Sequence, residues 1–533
     1  MTRKTDGFLS VKQASVFASE YLNKNVTSSN ISYLIQYGLI KRYEIDKKTF
    51  IAQKDLVRYY QQYKDRRQND YKTKLGDDLN WNLSFEHLKE KDTTKHVHRL
   101  HPYKGKFIPQ LVEYFLDSHT DNFKKEVIFK EGDIILDPFC GSGTTLVQAN
   151  ELSMHAVGID ISSFNALISN AKIKEFDLKE LDNELKKVTN SLKKYILKNS
   201  NLAFEKELLE ELNAFNQQYF PSPEFKIKVR QKQINEKEYA LIKEQEFNLI
   251  FKALQQKYQL KIRQDDTNSF LGQWYLEPVK KEIDFVFEEL KQVKNKHFQG
   301  IISVILSRTL RSCRATTHSD LATLKEPVIK PYYCKKHGKI CKPLFSIISW
   351  WERYCKDTLR RLKEFQPLRT DAVQICLQGD SRTIDIIKAI EKENEELATL
   401  VKKQKIRGIF SSPPYVGLID YHNQHAYAYD LFNFERNDDL EIGPLFKGQG
   451  LLAKQSYIEA IAQVLNNVKQ YLQIDYDIFL VANDKFNLYK EIAKKANMQI
   501  IKEYKRPVLN RTEIDKSAYA EIIFHLKEAN GTK

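Results

Sequence analysis

A short apolar run that leads into a glycine-rich turn is the feature that most constrains how this chain can fold. Residues 134–145 read Ile-Ile-Leu-Asp-Pro-Phe-Cys-Gly-Ser-Gly-Thr-Thr, the pattern of a strand, a tight turn and the start of a helix. Gly141 and Gly143 would let a ligand approach the backbone closely, and the first amides of the helix would point toward it. The third glycine of a dinucleotide fingerprint and the lysine of a P-loop are both missing. The segment therefore predicts a nucleotide-like site of another kind.

An acidic residue follows this turn at the end of the next predicted strand. Residues 155–159 form a second apolar run, which ends at Asp160. In a βαβ unit, an acid at this point is placed to bind both hydroxyls of a ribose. The same residue could instead cap the following helix. We favour the ribose interpretation because the glycine-rich turn precedes the acid at a suitable distance.

The α/β pattern occupies two separate parts of the chain. It covers residues 96–170 and returns over residues 370–533. Apolar runs typical of buried strands recur there at 373–377, 408–411, 477–481, 499–503 and 520–526. Between the two parts, residues 171–369 are rich in Glu and Lys and have helical periodicity. The sequence therefore predicts one α/β fold that is split by a large, mainly helical insert.

The first 65 residues have a different pattern. Helical periodicity covers Val11–Tyr21 and Ser28–Gln36, two short strands flank a turn at 46–48, and a third helix runs from Gln53 to about residue 63. This order resembles the winged helix-turn-helix domains of the MerR and excisionase type. Residues 1–75 hold 15 Lys and Arg against 7 Asp and Glu, which favours a DNA-binding accessory domain over a packing or dimerisation domain. The polar residues 66–95 are predicted to be a linker.

The overall charge points to a polyanionic partner. The 533 residues carry 85 Lys and Arg against 70 Asp and Glu, a formal net charge of +15. Six cysteines are too few for a disulfide framework, and neither a long apolar span nor a signal-peptide core is present. We therefore expect a cytoplasmic protein with no membrane partner.

A second motif lies far along the chain, where residues 409–415 read Ile-Phe-Ser-Ser-Pro-Pro-Tyr. The Pro-Pro pair has no N–H groups and is stiff, so it can hold a carbonyl pointing outward. The Ser412 hydroxyl and such a carbonyl would make two acceptors for an amino group, and Tyr415 would offer a stacking surface for a flat ring. For the Pro-Pro pair alone, the ordinary interpretation is a loop that ends a strand.

Together the two motifs resemble the amino-group DNA methyltransferases, which use S-adenosylmethionine. The resemblance implies a Rossmann-like methyltransferase sheet. It also implies that the catalytic loop consists of Ser412, Pro413, Pro414 and Tyr415. It further implies a set of residues that hold the cofactor: Lys106, Phe107, Asp137, Phe139, Gly141, Ser142, Gly143, Thr144, Asp160 and Asp380. In this family, Ser at the first position of the second motif is associated with N4 of cytosine, and Asp or Asn with N6 of adenine.

The same resemblance implies partners and a role for the insert. Double-stranded DNA would be the substrate, a cognate restriction endonuclease would be a partner, and residues 171–369 would form the target-recognition region. Three alternatives stay open. The enzyme could methylate N6 of adenine, it could act on RNA, or the chain could be a non-catalytic DNA-binding regulator built on a methyltransferase scaffold.

The insert contains two weaker signals. Cys334, His337 and Cys341 have the residue types and close spacing of zinc ligands, but zinc needs a fourth ligand. Cys313, His318 and Cys355 are the candidates for it, and the alternative is a basic loop with incidental cysteines. Nearby, Arg308, Arg311 and Arg314 have roughly helical spacing, so they could contact DNA or simply form a solvated helix face.

Overall fold

The structure, a computed structural model, describes residues 7–22, 26–36, 38–45, 48–199, 201–318, 324–509 and 517–529. Residues 46 and 47 of the predicted N-terminal turn lie outside the described residues. So does part of the loop before the last strand. Among the described helices, none is both long enough and apolar enough to cross a membrane.

The N-terminal unit combines a small antiparallel sheet with three helices. Its elements are β1 (Phe8–Ser10), α1 (Val11–Tyr21), α2 (Ser28–Gln36), β2 (Tyr43–Ile45), β3 (Lys48–Ala52) and α3 (Gln53–Leu75). β3 lies between β1 and β2. Ser10 and Gln13 form a capping box that starts α1, and Ala14, Ile31 and Leu56 are buried in the small core. Helices α1 and α2 have the predicted bounds, whereas α3 is longer than predicted.

The prediction of a linker over residues 66–95 is wrong. Helix α3 continues to residue 75, and the segment then packs against the edge of the large sheet described below. The Tyr71 hydroxyl donates to the Val508 carbonyl at 3.0 Å, and the Asn80 amide donates to the Lys505 carbonyl at 2.7 Å. The segment thus covers an edge strand whose backbone groups would otherwise lack partners. Its polar composition concealed the few residues that make these contacts.

The remaining elements follow in chain order. Before the insert come α4 (Glu90–Thr93), α5 (Pro109–Leu116), β4 (Ile134–Asp137), α6 (Thr144–Glu151), β5 (His155–Asp160) and α7 (Ser163–Ile173). The insert holds α8 (Leu178–Leu197), α9 (Asn201–Tyr219), α10 (Glu224–Arg230), α11 (Glu236–Lys257), α12 (Phe270–Trp274), α13 (Glu277–Lys291), α14 (Lys296–Cys313), β6 (Tyr332–Cys334), β7 (Lys339–Cys341) and α15 (Ile348–Phe365). After it come β8 (Gln374–Gln378), α16 (Ile386–Glu391), α17 (Glu395–Gln404), β9 (Ile406–Ser411), α18 (Tyr421–Gln424), α19 (Ala426–Phe432), α20 (Leu451–Lys469), β10 (Leu472–Ala482), α21 (Tyr489–Lys495), β11 (Met498–Pro507) and β12 (Ala520–Glu528).

Within the described residues, seven strands form the large sheet in the order β11-β12-β10-β9-β4-β5-β8. β12 runs antiparallel to both of its neighbours, and the other pairs are parallel. The chain adds β5 and β8 on one side of β4 and later adds β9 and β10 on the other. The strand order therefore reverses between β4 and β9, and in such sheets ligands bind beyond the carboxyl ends of the strands at this point. The predicted Rossmann-like sheet split by a mainly helical insert is confirmed.

Buried side chains on both faces explain the continuous apolar runs of the strands. In β4, Ile134 and Leu136 pack into the core on one face, and Ile135 packs into the core on the other. Successive side chains of a strand point to opposite faces, so both faces of this sheet must be covered. Helices α6 and α7 and much of the insert cover the face of Ile135, so the insert extends one of the two cores.

Candidate active site

A cleft that is partly open to solvent lies at the carboxyl ends of β4, β5, β8 and β9. Most of the predicted cofactor residues line the cleft, namely Lys106, Phe107, Phe139, Gly141, Ser142, Thr144, Asp160 and Asp380. The strand-order reversal therefore brings the glycine-rich turn and the second motif to one place.

The glycine-rich turn is shaped for close approach. Gly141 has a φ of +53°, and a Cβ there would lie 3.1 Å from the Tyr103 hydroxyl oxygen. A larger residue would therefore be strained and would press on a ring that lines the cleft. The hydroxyl of Ser142 is buried and has no hydrogen-bond partner in the described part of the chain. An unsatisfied buried hydroxyl at the wall of a cleft is available to a ligand.

Asp160 lies at the wall of the cleft beside the turn. Its carboxylate accepts hydrogen bonds from the amides of Gly141 at 2.8 Å and Ser162 at 2.9 Å and from the Asn165 side chain at 3.1 Å. Burial nevertheless raises the pKa of Asp160 to about 6. The capping alternative is wrong, because Ser162 is the residue that caps α7. Three of the roughly four lone-pair positions of the carboxylate are used in this way, and the remaining one, on Oδ2, can accept a hydroxyl group from a ligand.

Two predicted cofactor residues, Asp137 and Gly143, lie behind the wall of the cleft. Asp137 is buried and accepts a hydrogen bond from the Ser411 hydroxyl at 2.5 Å, which joins the ends of β4 and β9. Burial raises its pKa to about 6. Gly143 has a φ of +73°, and a Cβ there would lie 3.0 Å from the Ser169 Cβ. Both residues shape the turn from behind, because the carboxylate and the backbone face the protein interior.

Two other lining residues are fixed by polar contacts. Lys106 donates to the His98 carbonyl at 2.7 Å, and burial lowers its pKa to about 8. Asp380 forms an ion pair with Arg382, with its carboxylate oxygen 2.6 Å from a guanidinium nitrogen. These contacts hold both side chains at the wall of the cleft.

Only part of the second motif lines the cleft. Ser412 and Pro414 line the cleft, whereas Pro413 and Tyr415 lie beside it. The Ser412 hydroxyl donates to the Val481 carbonyl at 3.0 Å. Since its proton is used in this way, the oxygen keeps its lone pairs for a donor group in the cleft.

Tyr415 is tethered to the last two strands. Its hydroxyl donates to Glu521 at 2.9 Å, and Glu521 pairs with Arg506 at 2.8 Å. Burial raises the pKa of Tyr415, so its phenol stays neutral. The ring orientation is therefore set by an ion pair from β11 and β12.

Residues outside the predicted set also form the wall of the cleft. The rings of Tyr103 and Tyr421 stack with centroids 5.9 Å apart, and Glu441 accepts a hydrogen bond from the His422 amide at 2.8 Å. Glu441, which sequence reasoning missed, lies in the loop between α19 and α20, where spacing carries no signal, and Tyr421 begins α18. Tyr103 lies in the segment just before α5 that contains Lys106, so that segment was a usable signal.

Residues of the insert occupy other places. Arg308 is buried against Asp357, with its guanidinium nitrogen 2.8 Å from the carboxylate, so the prediction that it contacts DNA is wrong. Arg311 and Arg314, in contrast, line an open groove together with Lys104 and Leu418. The predicted zinc ligands Cys334, His337 and Cys341 lie on the β6–β7 hairpin and do not line the cleft.

Comparisons relate the chain to known methyltransferases. A family model described as DNA methylase, of the N6/N4 type, matches residues 9–171. The chain is 44% identical over 524 residues to the type II methyltransferase M.MjaII of Methanocaldococcus jannaschii, covering 97% of this chain and 96% of that protein. It is 36% identical over 94 residues to the type II methyltransferase M.BsoBI of Geobacillus stearothermophilus, 17% of each chain. A solved structure, the rRNA methyltransferase aviRa from Streptomyces viridochromogenes, aligns with 80% of this chain and 88% of its own at 7% identity. Its TM-score of 0.27 supports no argument.

Proposed function

Because the chain belongs to the N6/N4 family of type II DNA methyltransferases, we propose that it methylates N4 of cytosine in double-stranded DNA. S-adenosylmethionine, which membership of the family implies, would supply the methyl group. The cleft fits this group, since it combines a glycine-rich turn, an unsatisfied buried hydroxyl on Ser142 and an acidic residue at the end of β5. Asp160 would accept a hydrogen bond from a ribose hydroxyl, and Ser142 would bind the amino-acid part.

The observation that carries the proposal is the position of Ser412. Its oxygen lies at the cleft, and its proton is donated to the Val481 carbonyl. The oxygen can therefore accept a hydrogen bond from an exocyclic amino group, and we propose the carbonyl of Pro413 as the second acceptor. In the family, Ser at this position is associated with cytosine, which is why we favour cytosine over adenine.

The residues of the loop would act by positioning the base. A base inside a duplex cannot reach the cleft, so it must be flipped out of the stack, and Tyr415 would stack on it. Two acceptors on one amino group orient the nitrogen lone pair away from its N–H bonds and toward the methyl donor. Rate acceleration would come from this alignment and from fixed dipoles, with no covalent intermediate.

DNA contacts would come from outside the cleft. Arg311 and Arg314 line a groove together with Leu418, three residues after the catalytic loop, which supports the insert as the target-recognition region. The basic N-terminal unit would add contacts to the phosphate backbone. We further propose that the enzyme works in the cytoplasm and protects host DNA from a cognate restriction endonuclease.

The test is to incubate the protein with DNA and methyl-labelled S-adenosylmethionine and then digest the DNA to nucleosides. We expect N4-methylcytosine. N6-methyladenine would show that the base assignment is wrong, and no modified base would favour the non-catalytic regulator. The double variant Ser412→Ala/Tyr415→Ala should lose methylation and keep cofactor binding. Normal methylation by that variant would refute the catalytic assignment.

A further inference from the structure

Four potential metal ligands meet at one end of the insert. Cys334 ends β6, Cys341 ends β7, His337 lies in the turn between them, and His318 follows α14. One ligand atom from each residue lies within 4.8 Å of the others. We propose that these residues bind one zinc ion, which fastens the β6–β7 hairpin to the segment that follows α14.

The hairpin presents both cysteines on the same side. Tyr332 is paired with Cys341 across the two strands, and Cys334 is paired with Lys339. Cys334 and Tyr332 are two residues apart, so they share a face, and Cys341 lies opposite Tyr332 on that face. The two thiols are therefore diagonal neighbours. Both are buried and free of disulfide bonds.

The turn of the hairpin places His337 above the cysteines. The amides of His337 and Gly338 both donate to the Cys334 carbonyl, at 3.1 Å and 2.7 Å. Gly338 has a φ of +64°, which a glycine adopts without strain. The Nδ1 atom of His337 lies 3.5 Å from the Cys341 sulfur. A tetrahedral zinc site with bonds of about 2.0–2.3 Å requires ligand atoms separated by roughly this distance.

His318 resolves the choice of the fourth ligand. Its ring centroid lies 4.5 Å from that of His337, and the Tyr332 hydroxyl lies 2.9 Å from its Nδ1 atom. A polar group on one ring nitrogen is the usual means of orienting a metal-binding histidine. The other two candidates, Cys313 and Cys355, are buried on helices α14 and α15 and are not part of the cluster.

The donor set is suited to zinc. Two thiolates and two imidazoles are a common structural combination, and two thiolates neutralise the charge of the ion. A two-stranded hairpin has little stability of its own. This one is docked by Asn216, whose side chain bonds both the amide and the carbonyl of Ile340, at 2.9 Å and 3.0 Å. Through its bond to His318, the metal would link the hairpin by coordination to the segment just beyond Arg311 and Arg314.

The experiment measures zinc in the full chain purified without chelators. We expect about one equivalent per chain. His318→Ala should retain the fold and lose zinc to a chromophoric chelator at least tenfold faster than the parent protein. Cys334→Ser should bind little zinc. The matched control is Cys355→Ser, which removes a buried cysteine outside the cluster and should keep the zinc content of the parent.

A spectroscopic measurement on the unaltered chain covers the case in which the variants fail to fold. Exchange of the metal for cobalt(II) should give the intense visible bands of a tetrahedral site and a thiolate charge-transfer band in the near ultraviolet. Less than about 0.2 equivalents of zinc together with an octahedral cobalt spectrum would overturn the proposal. A disulfide between Cys334 and Cys341 in freshly purified protein would overturn it as well.

Discussion

The raised pKa of Asp160 makes a quantitative prediction about cofactor binding. Burial raises this pKa to about 6, and a ribose hydroxyl would donate to the ionised carboxylate. Binding therefore favours the ionised form, and lowering the pH through 6 should cost affinity. If only the ionised form binds, the Kd should be about twofold higher at pH 6 and about elevenfold higher at pH 5 than at pH 8. The change at pH 5 corresponds to about 1.4 kcal/mol.

Isothermal titration calorimetry would measure this Kd between pH 5 and pH 8. The ligand would be S-adenosylhomocysteine, which is S-adenosylmethionine without its transferable methyl group, so that no turnover occurs. Asp160→Asn should bind more weakly at pH 8 and lose the pH dependence, because the amide does not titrate. Circular dichroism at each pH would verify that the protein remains folded.

The second buried carboxylate supplies the control. Asp137 also has a pKa raised to about 6, but it faces Ser411 behind the turn. Asp137→Asn should therefore retain the pH dependence of the Kd. Two results would refute the reasoning: a parent Kd at pH 5 within twofold of that at pH 8, or the same pH profile in Asp160→Asn.

Three further predictions concern other parts of the molecule. Gly408→Ala should lower the unfolding free energy by about 3 kcal/mol, since a Cβ would lie 2.2 Å from the Asp477 carbonyl oxygen. Gly300→Ala, on helix α14 with only Leu167 at 3.7 Å, should raise it by about 0.5–1 kcal/mol. Chemical denaturation compares the two, and equal effects would contradict the steric argument. Glu521→Gln should lower kcat roughly ten- to hundredfold with an unchanged Kd for the cofactor, because it weakens the tether of Tyr415. A parallel loss of cofactor affinity would instead indicate a general structural role. Burial raises the pKa of Glu282 to about 7. The folded state therefore holds this proton more tightly than the unfolded state, and stability is lost as pH rises from about 4.5 to about 7. Glu282→Gln should remove this loss, so its stability relative to the parent should rise by roughly 3 kcal/mol between pH 4.5 and pH 8. A difference in unfolding free energy between Glu282→Gln and the parent that does not vary with pH would contradict this prediction.

The large sheet could be predicted because its strands are buried on both faces. Runs such as those of β4 and β9 are apolar at successive positions, and helices or loops do not require this pattern. The prediction of a linker over residues 66–95 was wrong because this segment has no continuous apolar pattern. Its contacts depend on isolated residues such as Tyr71 and on backbone groups. The average composition of a segment does not reveal such residues.

The residues of the two motifs at the cleft could be predicted from the sequence, but the residues that other segments contribute could not. The turn around Gly141 and the loop around Ser412 have sequence patterns that follow from their backbone conformations. Glu441 reaches the same cleft from a long loop, whose path depends on tertiary packing. The β6–β7 hairpin was missed because three-residue strands have no measurable periodicity.

The hydrogen bond between Asp137 and Ser411 joins residues that are 274 positions apart in the chain. During translation at about 5–20 residues per second, β9 leaves the ribosome roughly 15–55 s after β4. For that time β4, an interior strand of the complete sheet, has an open edge, to which another chain could pair. A nascent or truncated chain that ends within the insert would hold the glycine-rich turn without the loop of Ser412. If Ser412 has the proposed catalytic role, such a chain should not methylate DNA.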